Sequence, residues 1–221
     1  MQLAIAVRPL LAGSKCYGTT SNGALSKGCK LPSRGSNFES YSILGSWFGR
    51  TYVHCTVAEV VADAYESVSQ SRPDTVFVYG ESGLKAGGQF KPHKTHQNGL
   101  SVDFMVPVIN AKGDSVPLPC GMTNKFGYDL EFSTEGQLGD LRIDFEAIAI
   151  HLEALKTSAE RAGIGIWRVI FDPRLQRYLR ESPRWPALKD LQFSKRPSWV
   201  RHDEHYHVDF EVPCAPLEGK S

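Results

Sequence analysis

Two stretches of the chain carry hydrophobic residues at helical spacing. Between residues 56 and 70 the apolar positions recur every three or four residues, which places them on one face of a helix. Thr56 is followed three residues later by Glu59, a capping-box pattern that predicts the start of this helix. A second stripe predicts a helix over residues 144–161, with Gly163 as its C-terminal stop. The two stripes consist of Val57, Val60, Val61, Ala64 and Val68, and of Phe145, Ile148, Leu152 and Leu155.

Other stretches alternate or form short apolar runs, as β-strands do. Residues 101–106 alternate, with Val102 and Phe104 on one face. Asp103 shares the opposite face with Ser101 and therefore points away from the core. The remaining predicted strands are residues 75–80, 166–171 and 206–212.

Three segments interrupt this pattern. Residues 12–40 are rich in Gly, Ser and Lys, which predicts an extended, loop-dominated segment wrapped on the core. Residues 108–142 carry many Gly, Pro, Asn and Asp residues and predict a long loop at the edge of a cleft. Asp172 and Pro173 predict the cap and first position of a short helix. Strands and helices do not follow a strict β-α-β order, so the predicted class is α+β, with a small antiparallel sheet flanked by helices and long loops.

Length and composition favour one domain. The chain has 221 residues, of which 41% are hydrophobic, enough for a single core. The predicted domain covers residues 16–214, between an N-terminal extension at 1–15 and a C-terminal tail at 215–221. No apolar run approaches the roughly 18–20 residues that cross a bilayer, so no membrane span is expected. The net charge of +1, from 25 basic and 24 acidic residues, gives no reason to expect nucleic acid as a partner.

The five cysteines lie in loop-like or terminal contexts. This usage is typical of secreted domains and predicts at least one disulfide. Because the count is odd, at least one cysteine stays unpaired. The chain has no CxxC pair, so a cysteine-ligated zinc is not expected. The five residues are Cys16, Cys29, Cys55, Cys120 and Cys214.

Five of the seven histidines fall into two short clusters. Imidazole is a common zinc ligand, and a catalytic zinc takes three protein ligands while a fourth position stays open. The two clusters, with Asp103 as an oxygen ligand, therefore predict a metal site. His54 and His151 stand alone and are expected to be structural or solvent-facing. The clusters are His93 and His96 in PHKTHQNGLSVDF, and His202, His205 and His207 in RHDEHYHVDF.

Strand geometry narrows the set of ligands. In an extended strand, His205 and His207 project to the same face and Glu204 projects to the opposite one. His96 precedes an Asn-Gly turn, and the strand after that turn carries Asp103, so both side chains can approach one ion. The ligand candidates are His96, Asp103, and one or both of His205 and His207.

These residues resemble a known family. A histidine followed seven residues later by an aspartate, here His96 and Asp103, together with a late HxH, here His205 and His207, resembles the LAS family of zinc peptidases. Within it the chain resembles the MepA-type, penicillin-insensitive murein endopeptidases, over most of residues 16–214. The further shared landmarks, in the family's order, are SKGCKLP, GGQFKPHKTHQNGLSVD, RVIFDPRLQRYL and RPSWVRHDEHYHV.

The resemblance implies a site and an activity. It implies that His96, Asp103 and His207 hold zinc, which activates water for attack on a peptide carbonyl. It also implies that His205 is a catalytic histidine, acting as a base or as a stabiliser of the oxyanion, and that His202 is a further active-site histidine. The implied substrate is the stem peptides of peptidoglycan, cleaved at the D-alanyl to meso-diaminopimelyl cross-link.

Other functions stay open at this point. D,D-carboxypeptidase activity on stem peptides is the main alternative, because it uses the same chemistry. A non-catalytic, zinc-containing cell-wall-binding protein is disfavoured by the intact His202 and His205. An unrelated metal-dependent hydrolase such as a nuclease is disfavoured by the near-zero net charge. Ser101 occupies a position where the family commonly has an acidic residue, so substrate contacts near Asp103 are expected to differ.

The implied location is periplasmic or secreted, because murein lies outside the cytoplasm. Arg8 and Pro9 interrupt the apolar N-terminal stretch, which makes it a poor match to a secretory signal. Processing, truncation, or export by a contact-dependent machine as an antibacterial effector would each account for this. The sequence does not identify an immunity or secretion partner.

Overall fold

The fold is built on a five-stranded sheet that carries two long helices on one face. The computed structural model describes residues 13–198 and 200–217; most of the predicted N-terminal extension, the end of the predicted tail, and Trp199 lie outside these ranges. The strands are β1 (Lys15–Gly18), β2 (Gly23–Ser26), β3 (Cys29–Lys30), β4 (Phe38–Ser40), β5 (Tyr52–Val53), β6 (Phe77–Tyr79), β7 (Ser101–Met105), β8 (Val108–Ile109), β9 (Ser115–Val116), β10 (Gln137–Leu138), β11 (Leu141–Ile143), β12 (Gly165–Ile170) and β13 (His205–Glu211). The helices are α1 (Ile43–Trp47), α2 (Cys55–Ser71), α3 (Phe145–Arg161), α4 (Gln176–Glu181) and α5 (Trp185–Leu188).

The main sheet has the strand order β12-β13-β7-β6-β4. Its neighbours run antiparallel, except for the edge pair of β4 and β6, which is parallel. Two two-stranded sheets, the hairpin β1-β2 and the pair β3-β5, and a small sheet of order β10-β11-β8-β9 complete the strands of the described chain. The predicted α+β class with a small antiparallel sheet is confirmed.

Helices α2 and α3 pack against each other and cover one face of the main sheet. The apolar stripes predicted from the sequence supply this contact, and most of their side chains are fully buried. His151 on α3 lies within the core, where its ring stacks on Tyr65 and its Nδ1 lies 2.6 Å from the hydroxyl of Tyr206. Burial lowers the pKa of His151 to about 3, so it is a neutral structural residue.

No helix of the described residues is long and apolar enough to cross a membrane.

Two predicted helix starts are wrong. Helix α2 begins at Cys55, and its N-cap is His54, whose Nδ1 accepts the backbone N–H of Thr56 at 3.3 Å. Since the imidazole already satisfies that donor, Thr56 lies inside the first turn and does not cap it. Helix α4 begins at Gln176, because the Asp172 carboxylate binds the backbone and guanidinium of Arg174 in a turn that precedes the helix. In contrast, α3 begins after Asp144 as predicted.

Two predicted loops contain regular structure. The described part of residues 12–40 includes β1 to β4, and residues 108–142 include all of the small sheet except the last residue of β11, together with a 3₁₀ turn at Met122–Gly127. These strands are two to four residues long, too short to establish a period in the sequence. Tyr128, just after the 3₁₀ turn, reaches Asp103, so this segment does border the site.

Two disulfides close the fold, which confirms the prediction of at least one. Cys16 bonds to Cys214 and ties the N-terminal hairpin to the segment after β13. Cys29 bonds to Cys55 and ties β3 to the start of α2. Cys120 is unpaired, as the odd count requires.

Candidate active site

The pairing of β7 with β13 brings the two sequence clusters together. In the antiparallel register, His207 lies directly opposite Asp103, and Asp209 lies opposite Ser101. Side chains of directly opposed residues are close neighbours on one face of a sheet. Because side chains alternate, the residues between them, Phe104 among them, face the helices, and the polar set faces away from α2 and α3. The predicted orientation of Asp103 is confirmed, although its side chain is fully buried.

His96 reaches the same place from the loop before β7. Its backbone adopts a left-handed conformation, with φ +68°, which is rare for a residue with a β-carbon and costs about 1–3 kcal/mol. Its Nδ1 lies 3.1 Å from the carbonyl oxygen of Ser82, and its Nε2 lies 3.3 Å from Asp103 Oδ1. Gly83 permits this approach, since a β-carbon there would lie 2.9 Å from the His96 carbonyl oxygen. The strained backbone thus aims the ring at Asp103.

Asp103 is the centre of the cluster. Its Oδ1 lies 2.8 Å from His207 Nδ1, and its Oδ2 accepts a 2.9 Å hydrogen bond from the hydroxyl of Tyr128. Gly80 leaves space for that hydroxyl, which would lie 2.5 Å from a β-carbon. Burial alone would raise the pKa of Asp103, but the surrounding histidines, His96 first, hold the pKa well below its usual range. The carboxylate is therefore ionised.

Each of the five clustered histidines has at least one ring nitrogen engaged by a protein oxygen. This contact fixes the orientation of each ring and determines which nitrogen remains for chemistry. Two rings are held by backbone carbonyls and three by buried carboxyl groups. The pairs are His96 Nδ1 with Ser82 O (3.1 Å), His202 Nδ1 with Val200 O (2.9 Å), His93 Nε2 with Glu81 Oε2 (2.5 Å), His205 Nδ1 with Glu204 Oε1 (2.8 Å) and His207 Nε2 with Asp209 Oδ1 (2.9 Å).

The cluster fits a metal ion. His93, His96 and Asp103 each offer one ligand atom, and these atoms lie within 4.8 Å of one another. His96 Nε2 is buried and has no hydrogen-bond partner among the described residues, a loss of about 1–3 kcal/mol that a bound cation would remove. Burial lowers the pKa of His96, so its imidazole is neutral and can donate a lone pair. Imidazole nitrogens and a carboxylate are a donor set typical of zinc.

His207 is held between two carboxylates. Burial alone would lower its pKa, but Asp209 and Asp103 outweigh that effect and raise the pKa to about 10. Both ring nitrogens therefore carry hydrogens in the ion-free protein, and an ion at Nδ1 would displace one of them. Asp209 is itself fully buried and bonds to Ser101 Oγ and to Arg168 Nε, each at 2.5 Å. Ser101 thus supports Asp209. The position at which the family commonly has an acidic residue therefore has a structural role here.

With His207 as a ligand, as the sequence predicts, Asp209→Asn is expected to lower metal affinity about 10–100-fold, because outer carboxylates that orient a ligand histidine contribute about that much. The amide keeps the shape of the side chain but removes the charge that faces His207 Nε2. Competition between the protein and a chromophoric chelator measures the affinity directly. Glu211→Gln, at the exposed end of the same strand, is the matched control. An unchanged metal affinity in Asp209→Asn would show that the carboxylate does not support the site.

His205 and His202 line the other side of the cluster. His205 Nε2 lies 3.9 Å from Asp103 Oδ1, and the His202 ring centroid lies 4.4 Å from that of His205. Burial lowers the pKa of His205 to about 4 and that of His202 to about 3, so both are neutral near pH 7. The predicted orientation of Glu204 is wrong: it lies before the first residue of β13, where alternation does not apply, and its carboxyl group contacts His205.

A second hydrogen-bond network, which the sequence did not indicate, holds His93. Glu81 accepts from Arg50 through two nitrogens and from the hydroxyl of Tyr41 at 3.0 Å, and it contacts His93 Nε2. Burial alone would raise the pKa of Glu81, but His93 and Arg50 lower it to about 2. Tyr128 joins this network to the cluster, since its hydroxyl accepts the backbone N–H of Glu81 at 2.8 Å. The sequence offered one signal for Glu81, its position just after a strand, where functional residues often lie.

A cavity of about 280 Å³ adjoins the cluster at His202. Its walls are the end of β12 with the turn that follows it, and Pro197, Ser198, Val200 and Arg201. A backbone hydrogen bond of 2.9 Å from Asp172 to the His202 carbonyl oxygen joins the two walls. Apolar surface lines most of it, and Arg174 and Arg201 are among its lining residues.

Comparison with known proteins identifies the family. None of the curated proteins compared with the chain matches it. Residues 16–220, nearly the whole chain, match the family model described as penicillin-insensitive murein endopeptidase. This match agrees with the buried cluster of histidines and aspartate, which a metallopeptidase requires. The chain therefore belongs to the penicillin-insensitive murein endopeptidases, a family of metallopeptidases that hydrolyse peptidoglycan.

Proposed function

We propose that this protein is a zinc-dependent D,D-endopeptidase that cleaves the D-alanyl to meso-diaminopimelyl cross-link of peptidoglycan. The observation that carries the proposal is the convergence of His96 Nε2, Asp103 Oδ1 and His207 Nδ1 in a buried cluster. Family membership supports the substrate class. The donor set supports zinc over harder cations, which favour carboxylate and carbonyl oxygens.

His207 is proposed as the third ligand, with His96 and Asp103. Ligand atoms at about 2.0–2.2 Å from a tetrahedral zinc lie about 3.3–3.6 Å apart. The distances from Asp103 Oδ1, 3.3 Å to His96 Nε2 and 2.8 Å to His207 Nδ1, need only a small opening to reach this spacing. Asp209 holds the far nitrogen of His207, as outer carboxylates do for ligand histidines. His93 lies at the edge of the cluster, where Glu81 holds its Nε2, and is proposed to contact substrate.

The chemistry divides between the ion and the surrounding side chains. A zinc ion held here supplies Lewis acidity, which polarises the scissile carbonyl and makes water more acidic. Tyr128 fixes the Asp103 carboxylate, because its hydroxyl donates to Oδ2 and leaves Oδ1 toward the histidines. His205 and His202, both neutral, place ring nitrogens beside the same cluster without holding the ion.

The cavity beside His202 is proposed to receive one stem peptide of the cross-link. It adjoins a catalytic histidine, and its largely apolar walls suit the methyl and methylene groups of D-alanine and diaminopimelate. Arg174 also lines the cavity, and its half-exposed side chain is proposed to bind a substrate carboxylate. We further propose a periplasmic or secreted location, which the substrate requires and the two disulfides support.

Metal removal and reconstitution test the proposal. Protein stripped with a chelator is expected to lose cleavage of a defined cross-linked peptide dimer, and one equivalent of zinc is expected to restore it. Manganese and magnesium at the same concentration are the controls. Undiminished cleavage by the metal-free protein would contradict the proposal. Release of terminal D-alanine from pentapeptide monomers, without cleavage of the dimer, would favour the carboxypeptidase alternative.

A further inference from the structure

Glu204 is a buried carboxyl group that contacts one histidine and one backbone amide. Its side chain is about 1% exposed. Oε1 lies 2.8 Å from His205 Nδ1, and Oε2 accepts the backbone N–H of Asp203 at 3.1 Å. Among the described residues, no lysine or arginine contacts this carboxyl group.

The other two carboxyl groups that hold active-site histidines differ in this respect. Asp209 is paired with Arg168, and Glu81 is paired with Arg50. The pKa of both acids is lowered, by His207 and then Arg168 at Asp209, and by His93 and then Arg50 at Glu81. Burial, with the nearby Asp203 as a further cause, instead raises the pKa of Glu204 to about 9. Glu204 is thus the one of the three that is stable as a neutral acid near pH 7.

A neutral Glu204 dictates the tautomer of His205. Its O–H donates to Nδ1, and Nδ1 must then carry the lone pair. The ring hydrogen lies on Nε2, which faces Asp103 Oδ1 at 3.9 Å. In the ion-free protein a hydrogen on Nε2 is attracted by that carboxylate, whereas a lone pair there would be repelled, so the surroundings of both nitrogens favour the same tautomer.

We propose that Glu204 is a positioning residue that donates a hydrogen bond to His205 Nδ1, so that His205 presents an Nε2–H to the oxyanion formed from the scissile carbonyl. This inference rests on the proposed function and assigns His205 a role within it. Hydrogen-bond donors aimed at a developing oxyanion each contribute about 10²–10³-fold to turnover. His205 would then stabilise charge, and proton removal from water would fall to another group.

The variants Glu204→Gln and Glu204→Met test this role. A glutamine can donate its amide N–H to His205 Nδ1 and accept from Asp203 N–H, the same pattern as a neutral acid. Glu204→Gln is therefore expected to keep kcat within about threefold, and Glu204→Met, which has similar length and no such donor, is expected to lower kcat about 100-fold. KM and zinc content are expected to stay unchanged in both, with Glu211→Gln as the control.

Two kinetic results would overturn the proposal. If Glu204→Gln is as impaired as Glu204→Met, the carboxylate is needed as an acceptor and His205 is the base, as in triads where an ionised carboxylate fixes the histidine tautomer. Full activity in Glu204→Met would show that Glu204 positions nothing. Should the methionine variant fail to fold, the glutamine variant alone still decides between donor and acceptor.

Nitrogen NMR of histidine-labelled, zinc-loaded protein gives a readout that does not depend on turnover. The His205 resonances, assigned by their loss in His205→Ala, are expected to show a lone pair at Nδ1 and a hydrogen at Nε2. The reverse tautomer would contradict the proposal. Since this measurement needs no substrate, it separates failure of the inference from failure of the proposed function, which would appear as wild-type protein that leaves cross-linked dimers intact.

Discussion

His207→Ala is expected to lose metal binding and cleavage together, whereas His93→Ala is expected to keep its metal. Both histidines lie beside His96, and ring centroids are 4.8 Å apart for His207 and 5.0 Å for His93. Proximity alone therefore does not choose between them. We propose His207 as the ligand because its Nδ1 lies 2.8 Å from Asp103 Oδ1 and Asp209 holds its Nε2. Glu81 holds the Nε2 of His93.

The expected loss in His207→Ala exceeds the roughly 10–100-fold that follows removal of an outer partner, because an inner ligand is removed. His96→Ala and Asp103→Ala are expected to behave in the same way. Metal content after dialysis against a weak chelator, measured by atomic spectrometry beside peptide-dimer cleavage, checks both expectations. A His93→Ala protein that loses metal as completely as His207→Ala would make His93 a ligand and remove the proposed ligand set.

His205→Ala is expected to retain zinc and to lose turnover by about 10²–10³-fold, the contribution of one oxyanion donor. Its Nδ1 is occupied by Glu204, and its Nε2 lies 3.9 Å from Asp103, beyond hydrogen-bond distance. The ring therefore lies next to the proposed ligand set, and we do not propose it as a ligand. We expect the loss to fall on kcat, because the interaction forms only as charge develops on the substrate.

Steady-state kinetics with a cross-linked peptide dimer, together with metal analysis, measure this separation. His54→Ala is a control outside the cluster, where the imidazole caps α2. Its expected effect is on thermal stability, by about 1 kcal/mol for a lost cap, and not on kcat. Wild-type turnover in His205→Ala would exclude His205 from the mechanism. Loss of zinc in that variant would place it among the ligands instead.

The sequence was sufficient for the parts of the site that depend on strand periodicity. Alternation placed His205 and His207 on one face of their strand and Asp103 on the polar face of another, because successive side chains in a strand point to opposite faces. The sequence did not fix the register of the two strands. His207 faces Asp103 directly, whereas His205 is two pairs removed, and that difference supports the proposed division between a ligand and a catalytic residue.

The residues that the sequence did not reveal lie where periodicity ends. Glu204 precedes its strand by one residue, so alternation assigned it to the wrong side of the sheet. Glu81 follows a strand, and Tyr128 enters from a segment whose short strands are set by pairing and not by pattern. Asp209, by contrast, shares the face of His207 two residues away and could have been predicted from the same alternation.

Mass spectrometry of muropeptides from purified, cross-linked peptidoglycan tests the central claim most directly. Zinc-loaded protein is expected to convert cross-linked dimers into monomers that end in D-alanine at the former cross-link, and His207→Ala is expected to leave the dimers intact. The masses identify the bond. Dimers that persist in the presence of zinc-loaded wild-type protein, or a loss confined to terminal D-alanine, would contradict the assignment as a cross-link endopeptidase.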